Sequence, residues 1–279
     1  MAYENECWWI TGASSGIGAA LARELGARGA RVILSGRDED RLAGVASEIA
    51  TQTLTLPFDV RDHDAMLQAT GKATDWAGES AADSSGGIDG FVANAGVSQR
   101  SRAAKTDMQV YRDIIDIDLT SQIAATQALL PHMTQRKSGR LLFISSIAGK
   151  VGVPMRTAYC AAKFGLAGYA DALRAELSQD GIGVHVIYPG SVATDVSRNA
   201  LKGDGAKRDK SDKVIDNGIP ADEAAATMLD AVALNQREII VARGMEEAMG
   251  ELRRTPDQLF DQVAGMVADG YMEKMEASE

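Results

Sequence analysis

The sequence predicts an α/β fold in which a parallel sheet of seven strands carries helices on both faces. Short apolar segments alternate with longer segments whose apolar residues recur every three or four positions, the spacing of an amphipathic helix. Strands separated by helices pair in parallel, because each helix crosses over the sheet, and a doubly wound sheet results. The predicted strands are Cys7–Ile10, Arg31–Ser35, Thr53–Phe58, Ile88–Ala93, Arg140–Ser145, Val184–Tyr188 and Glu238–Ala242.

Length and composition favour one domain. The chain has 279 residues, 45% of them hydrophobic, and no change of composition marks a second domain. We predict a single domain over residues 1–279, with a core at about 6–242 and a helical C-terminal extension at 243–279. The polar, glycine-rich stretch Thr74–Gly87 is predicted to be a surface insertion without catalytic content.

The extension carries a one-sided apolar stripe with helical spacing. Its members are Leu259, Phe260, Val263, Met266 and Val267. Packing onto the domain's own core is favoured for this stripe over capping a substrate cleft or joining two subunits.

Charge and residue usage exclude several classes of protein. A formal net charge of −10 argues against a general nucleic-acid or anionic-membrane surface. No apolar run is long enough to span a membrane. Two cysteines, Cys7 and Cys160, without a secretory leader favour a reducing cytoplasm, and Cys160 is expected to be a packing residue. His63, His132 and His185 lack metal-ligand spacing, so no metal site is predicted.

A glycine-rich motif, TGASSGIG at Thr11–Gly18, follows the first strand and opens the first helix. Glycines let the backbone turn tightly and approach a pyrophosphate, while the helix N-terminus offers unpaired N–H groups to that anion. The alternative is a simple glycine turn, but this placement favours a Rossmann-like dinucleotide site. The predicted cofactor-binding residues here are Gly12, Ser14, Ser15, Gly16, Ile17 and Gly18.

The end of the second strand bears on which nicotinamide cofactor is used. NAD sites commonly place an acid there for the ribose 2′-hydroxyl, whereas an arginine can receive a 2′-phosphate. Gly36 offers no carboxylate and Arg37 offers a guanidinium, so NADP(H) is favoured and NAD(H) remains possible. The alternative is that Arg37 pairs with Asp38 or Asp40. Ser15 of the glycine-rich loop is not basic, so the sequence shows no second cation that could bind the 2′-phosphate together with Arg37.

Ser146, Tyr159 and Lys163, later in the chain, together suggest a reaction centre. Tyr159 and Lys163 are four residues apart on a predicted helix and therefore project from one face. A neighbouring ammonium stabilises a phenolate, which suits Tyr159 to be a general acid and base. Ser146, at the end of the fifth strand, can donate to the oxygen on which charge develops during carbonyl reduction. The Tyr–Lys spacing alone is common by chance, so the surrounding motifs decide its meaning.

Together these motifs resemble the short-chain dehydrogenase/reductase family, in its shorter TGxxxGxG and YxxxK branch. The resemblance runs from Glu6 to Val241. It implies that Asp59 hydrogen-bonds the adenine amino group and that Val60 packs against the ring. It also implies that Lys163 reaches the nicotinamide ribose. The remaining cofactor-binding residues implied by the resemblance are Asn94, Ala95, Gly96, Pro189, Gly190, Val192 and Thr194, besides Tyr159 itself.

One position departs from the family pattern. The family usually has an asparagine that holds a water in a proton relay to the lysine, whereas Asp118 stands there in this sequence. A carboxylate accepts from a water but donates nothing and favours a protonated lysine. We expect Asp118 to keep a catalytic role in the relay, with an altered pH dependence. The alternative is that Asp118 faces elsewhere.

The implied activity is hydride transfer between the nicotinamide and a small carbonyl or secondary alcohol, by a homodimer or homotetramer. The polar region after Thr194 is expected to be a solvated loop over the substrate. Arg156, Arg100 and Arg102 are candidates to meet a carboxylate-bearing substrate. A non-catalytic dinucleotide sensor or scaffold is the alternative function. A nucleotide-sugar epimerase or dehydratase is less favoured, because little of the chain is left for a sugar-nucleotide domain.

Overall fold

The computed structural model describes residues 3–79, 86–252, 261, 265 and 268–270. Its strands are β1 Cys7–Thr11, β2 Arg31–Gly36, β3 Thr53–Pro57, β4 Gly90–Ala93, β5 Gly139–Ile144, β6 Ile182–Pro189, β7 Val192–Ala193, β8 Ile219–Pro220 and β9 Glu238–Val241. Seven of them form one parallel sheet in the order β3-β2-β1-β4-β5-β6-β9. The predicted fold class is confirmed, and each predicted strand is present.

The strands are apolar along their length because both faces of the sheet are covered. In β1, successive side chains point to opposite faces. Trp8 and Ile10 belong to the core cluster on one face, and Cys7 and Trp9 belong to the cluster on the other. All four are fully buried. A run with no polar position is thus what a central parallel strand requires.

Helices cover the two faces. They are α1 Gly16–Ala27, α2 Glu39–Ser47, α3 His63–Glu79, α4 Met108–Ile115, α5 Ser121–Arg136, α6 Thr157–Glu176, α7 Lys213–Asp216, α8 Ala221–Ala233 and α9 Met245–Leu252. Apolar residues of α1 and α8 share one core cluster. Those of α3, α5 and α6 share the cluster on the opposite face. The sheet is therefore doubly wound, as expected.

The predicted insertion at Thr74–Gly87 is partly wrong, because helix α3 continues to Glu79. Ala77 is fully buried, and the ring of Trp76 lies 5.2 Å from the guanidinium carbon of Arg31. The buried face of α3 extends into this segment, where glycines and serines hide the helical pattern in the sequence. Residues 80–85 lie outside the described part of the chain.

The C-terminal extension contributes α9 to the described structure. The apolar stripe predicted beyond it, Leu259, Phe260, Val263, Met266 and Val267, lies outside the described residues. In the described part of the chain, no helix combines the length and the apolar character needed to cross a bilayer.

Two features of the segment after β6 were not predicted. Strands β7 and β8 pair in parallel as a small second sheet. Between them, Leu201 bridges both Gln99 and Lys207, which fixes a hairpin beside the sheet. Ser197 and Ala200 are fully buried. The segment is thus anchored at a few buried residues, while much of it, including Lys202 and Lys207, is exposed as expected for a solvated loop.

Candidate active site

A cleft of about 1000 Å³ opens at the carboxyl ends of the parallel strands. It lies where the strand order reverses, between β1 and β4, the place at which doubly wound sheets bind ligands. Arg37 and Asp59 line one end, and Tyr159 and Lys163 line the other. Every residue that the sequence suggested for catalysis or for cofactor binding lines this cleft, except Gly18.

The glycine-rich loop makes the floor of the cleft. Gly12 and Gly16 have φ angles of +66° and +55°, a left-handed conformation that side chains disfavour. A Cβ on Gly12 would lie 2.9 Å from the Cα atom of Ala95. The N-cap residue of α1, Ser15, makes no side-chain capping hydrogen bond. The first amides of α1 are thus left for an anion, and the loop fits a dinucleotide pyrophosphate.

Asn94 ties the end of β4 to this loop. Its side-chain amide donates to the carbonyl oxygens of Thr11, at 3.0 Å, and Gly12, at 3.2 Å. The Thr11 hydroxyl oxygen accepts in return from the backbone N–H groups of Asn94, at 3.1 Å, and Ala95, at 3.2 Å. The supporting role of Thr11 was missed, because a threonine at a strand end carries no distinctive sequence signal.

Three guanidinium groups line the end of the cleft where the second and third strands finish: Arg37, Arg41 and Arg61. The sequence identified only Arg37. Asp38 accepts from the backbone N–H of Arg41 at 3.0 Å and pairs with its guanidinium at 3.3 Å. The expected alternative pairing of Arg37 with Asp38 is therefore replaced by an Asp38–Arg41 pair within the described structure. Arg41 lies in the first turn of α2, where no motif marks it.

Asp59 is held by Arg61. The guanidinium lies 2.7 Å from the carboxylate, and the backbone N–H of Arg61 donates to it at 3.0 Å. This hydrogen bonding lowers the pKa of Asp59, with a further contribution from the charge of Arg37. A contact between Asp59 and an adenine would have to share the carboxylate with Arg61. Val60 packs partly buried against the core beside it.

Helix α6 and the turn after β5 bring the three predicted reaction-centre residues together. The Lys163 ammonium lies 5.6 Å from the centre of the Tyr159 ring and donates to the Ile144 carbonyl at 3.0 Å. The Ser146 hydroxyl oxygen accepts from Ala148 N–H at 3.1 Å. All three side chains belong to residues that line the same cleft.

Asp118 lies in a π-helical turn, Asp116–Thr120, and faces Lys163. Its Oδ1 atom accepts from Val97 N–H at 2.8 Å. Its Oδ2 atom is 3.2 Å from Lys163 Nζ but outside hydrogen-bond geometry, so the contact is an ion pair. Within the described structure, the alternative that Asp118 faces elsewhere does not hold. π-Helical turns are frequent at functional sites.

Burial and charge act in opposite directions on this pair. Burial raises the pKa of Asp118, and the Lys163 ammonium offsets part of that rise. Burial lowers the pKa of Lys163, but the charges of Asp118 and Tyr159 outweigh it, so that the pKa is raised. Lys163 is therefore held in its charged form by the carboxylate behind it.

The three arginines suggested for substrate binding lie outside the lining of the cleft. Arg100 donates to Asp212 at 3.0 and 2.9 Å, which fixes the loop after β7. Burial lowers the pKa of Arg100, and the nearby charge of Arg156 adds to that. None of Arg100, Arg102 and Arg156 lines the cleft. Instead, Lys207 of the anchored hairpin lines it, which no motif indicated.

Gln99 is a further residue that the sequence did not single out. It is fully buried, and its Oε1 atom accepts from Ala158 N–H at 2.8 Å, in the first turn of α6. Its Nε2 atom donates to Ser101 at 3.0 Å and to Thr106 at 3.1 Å. It thereby fixes the start of the helix that carries Tyr159.

The histidines and cysteines do not line the cleft. His132 Nε2 accepts from Ile88 N–H at 3.1 Å, and His185 Nδ1 lies 2.7 Å from the Gln236 carbonyl. Burial lowers the pKa of His185 to about 4. Among the described residues, no three His, Cys, Asp or Glu side chains are grouped for a metal ion. Cys7 and Cys160 are both free thiols.

Comparisons with known proteins identify the family of this chain. A family model described as short chain dehydrogenase matches residues 6–205. Dehydrogenase/reductase SDR family member 7B of Danio rerio is 36% identical over 84% of this chain and 76% of its own length. The Xenopus laevis protein of that name is 35% identical over 90% of this chain and 78% of its own.

Two solved structures share the fold. Levodione reductase superposes with a TM-score of 0.76 at 23% identity, covering 88% of this chain and 99% of its own. An alcohol dehydrogenase from Thermococcus sibiricus, complexed with 5-hydroxy-NADP, gives a TM-score of 0.72 at 22% identity, covering 91% and 99%. These two structures show the fold, and the family match with the relatives above makes the protein an NAD(P)-dependent oxidoreductase acting on small molecules. The chain belongs to the short-chain dehydrogenase family.

Proposed function

We propose that the protein transfers hydride between NADP(H) and a carbonyl or secondary alcohol, with Ser146, Tyr159 and Lys163 as its catalytic residues. One observation carries this proposal. The Lys163 ammonium and the Tyr159 ring, 5.6 Å apart, share a cleft with a glycine-rich anion-binding loop. A tyrosine beside a buried cation, with a hydroxyl opposite, is suited to move a proton to or from an oxygen.

The geometry supports the following roles. When bound, the nicotinamide supplies or accepts the hydride. In the reducing direction, the Ser146 hydroxyl donates a hydrogen bond to the substrate oxygen, and the Tyr159 hydroxyl gives that oxygen its proton. The Lys163 ammonium stabilises the tyrosinate left behind. Oxidation uses the same groups in the reverse order.

We assign Asp118 to the same proton path. Its Oδ2 atom lies 3.2 Å from Lys163 Nζ as an ion pair, while Oδ1 is held by Val97 N–H. The carboxylate cannot donate when ionised, but it keeps Lys163 protonated across a wider pH range. Its expected effect is therefore on the pH dependence of turnover.

We infer a preference for NADP(H) over NAD(H) from the charges at the adenosine end. Arg37, Arg41 and Arg61 all line that end of the cleft. Arg37 is exposed, and in the described structure the N-cap residue of α2, Asp38, pairs with Arg41. A 2′-phosphate would bring a dianion to these guanidinium groups, which bind phosphate well. The bound 5-hydroxy-NADP of the Thermococcus sibiricus neighbour is compatible with this proposal.

Three broader expectations stay predictions. A single domain is supported by the one seven-stranded sheet that the described elements share. A homodimer or homotetramer and a cytoplasmic location rest on the sequence arguments, and the free state of Cys7 and Cys160 agrees with a reducing compartment.

The test is a panel of ketones, aldehydes and alcohols, followed by NADPH and NADH absorbance with the parent and with Arg37→Ser. We expect turnover with NADPH favoured, and a preference reduced about tenfold in Arg37→Ser, since a charge-assisted hydrogen bond is lost. Tight NADPH binding without turnover of any compound would favour the sensor instead. Equal NADPH and NADH efficiencies in the parent would contradict the cofactor preference alone.

A further inference from the structure

Helix α9, in the C-terminal extension, reaches back to the segment Pro189–Thr194. The two oxygens of the Glu246 carboxylate hold the two donors of Ser191. Oε2 accepts from Ser191 N–H at 2.7 Å, and Oε1 accepts from the Ser191 hydroxyl at 2.9 Å. A paired contact of this kind fixes both the position and the orientation of the backbone that it grips.

Gly190 allows the carboxylate to come this close. A Cβ on Gly190 would lie 2.5 Å from Glu246 Oε2 and 2.9 Å from the Cβ atom of Ala242. The backbone N–H of Gly190 donates to the Val241 carbonyl at 2.9 Å. The segment is thus held both by the end of β9 and by Glu246.

The helix that carries Glu246 is itself anchored beside the reaction centre. Gly250 of α9 is buried, and a Cβ there would lie 2.8 Å from Ile147 Cδ1 and 3.2 Å from Ile240 Cδ1. Ile147 directly follows Ser146. Helix α9 therefore contacts both the turn that carries Ser146 and the segment Pro189–Thr194. Four residues of that segment line the cleft: Pro189, Gly190, Val192 and Thr194.

We propose that Glu246 is a positioning residue that holds Pro189–Thr194 in place for the nicotinamide end of the cofactor. This inference rests on the proposed function and on the expectation, implied by the family resemblance, that this segment contacts the nicotinamide. Glu246 itself does not line the cleft. It acts through Ser191, so the loss of its carboxylate should affect the nicotinamide half of the dinucleotide and spare the adenosine half.

The test compares two ligands in the full chain. NADP(H) reaches both halves of the cleft, whereas adenosine 2′,5′-bisphosphate reaches only the adenosine end. In Glu246→Gln we expect the Kd for NADPH to rise about tenfold, because hydrogen bonds to a charged acceptor are weakened. The Kd for adenosine 2′,5′-bisphosphate should stay within about twofold, since Arg37, Arg41 and Arg61 are untouched. Both constants come from fluorescence or calorimetric titration.

Glu247→Gln is the matched control, because Glu247 is an exposed neighbour on the same helix. It should leave both constants at the parent value. Equal NADPH affinity in Glu246→Gln and the parent, or an equal loss for both ligands, would overturn the inference. If the parent chain binds adenosine 2′,5′-bisphosphate and NADPH but turns over no compound, the proposed function is overturned. The effect of Glu246 on the binding of NADPH can still be measured in that case. A variant Glu246→Ala, with its melting temperature recorded, checks that any loss is not unfolding.

Discussion

Lys163 and Lys150 lie near the turn that carries Ser146, and each is buried against a carboxylate and a tyrosine. Of these two sets of side chains, only the one around Lys163 lines the cleft. Lys163 lies 3.2 Å from Asp118, with side chains 4% and 0% exposed. Lys150 lies 3.1 Å from Glu238, with side chains 4% and 2% exposed. The ammonium of Lys163 is 5.6 Å from the Tyr159 ring centre, and that of Lys150 is 4.6 Å from the Tyr188 ring centre.

The difference lies in what surrounds the tyrosine. Tyr188 is 2% exposed, and burial, together with the negative charge of Glu238, raises its pKa. Tyr159 is only partly buried and lines the cleft. The same three residue types therefore make a structural group in one place and a proposed reaction centre in the other. Access to a ligand, rather than the charge pair, separates the two.

The largest expected effect is that of Tyr159→Phe. Removing the hydroxyl takes away the proposed proton donor, and general acid–base catalysis typically contributes about 10²–10⁴-fold. We expect turnover to fall by at least about a hundredfold, with NADPH binding largely intact. Steady-state rates and a binding titration measure the two quantities. Retention of more than about a hundredth of the parent rate would contradict the role given to Tyr159.

Lys150→Met should act on stability instead. It leaves the buried Glu238 carboxylate without this ammonium, and breaking a buried pair costs about 3–5 kcal/mol of unfolding free energy. Urea unfolding followed by circular dichroism measures the loss. Turnover per folded molecule should fall far less than in Tyr159→Phe. A loss of stability below about 1 kcal/mol would show that the second pair is not the structural element described here.

Asp118→Asn should shift the pH dependence of turnover. The charge of Asp118 helps to raise the pKa of Lys163. Without that charge the lysine loses its proton at lower pH, so the alkaline limb of the pH–rate profile should move to lower pH. Glu238→Gln, which alters the pair away from the cleft, is the control and should leave the limb in place. Coincident profiles for Asp118→Asn and the parent would refute the role of Asp118.

The smallest expected effect is that of Tyr188→Phe. The change removes a buried hydroxyl that interacts with Glu238, and a typical hydrogen bond contributes about 1 kcal/mol. We expect a loss of this size in urea unfolding and a turnover number within about twofold of the parent. A hundredfold loss of turnover would mean that the two tyrosine groups are not functionally distinct.

The fold was accessible from sequence because its signal is repeated. Each central strand is apolar over several residues, and each crossover helix has a periodic stripe, so the strands could be assigned without tertiary information. The glycine loop and the Tyr159–Lys163 spacing are local as well. The end of α3 was misassigned because Trp76 and Ala77 lie among polar and small residues, so that the buried stripe was weak.

Other features depend on contacts between distant parts of the chain. Lys150 and Glu238 are far apart in sequence, and nothing near either residue indicates the other. Arg41 and Arg61 line the cleft because they follow β2 and β3, which lie side by side in the sheet, and no motif marks them. Glu246 is one of many acids in the chain, and only the fold brings it to Ser191. Such residues need tertiary structure to be identified.

The π-helical turn at Asp116–Thr120 also lets one continuous helical stretch serve two cores. Ile114 of α4 packs in a small cluster with Ala158 and Ala162 of α6, whereas Ala125 of α5 packs against the sheet. These two residues are eleven positions apart, and in an uninterrupted α-helix, with about 3.6 residues per turn, they would point the same way. The wider turn offsets their phase. Deleting a single residue there would be expected to restore a regular α-helix, with both faces kept in place and the position of Asp118 relative to Lys163 changed.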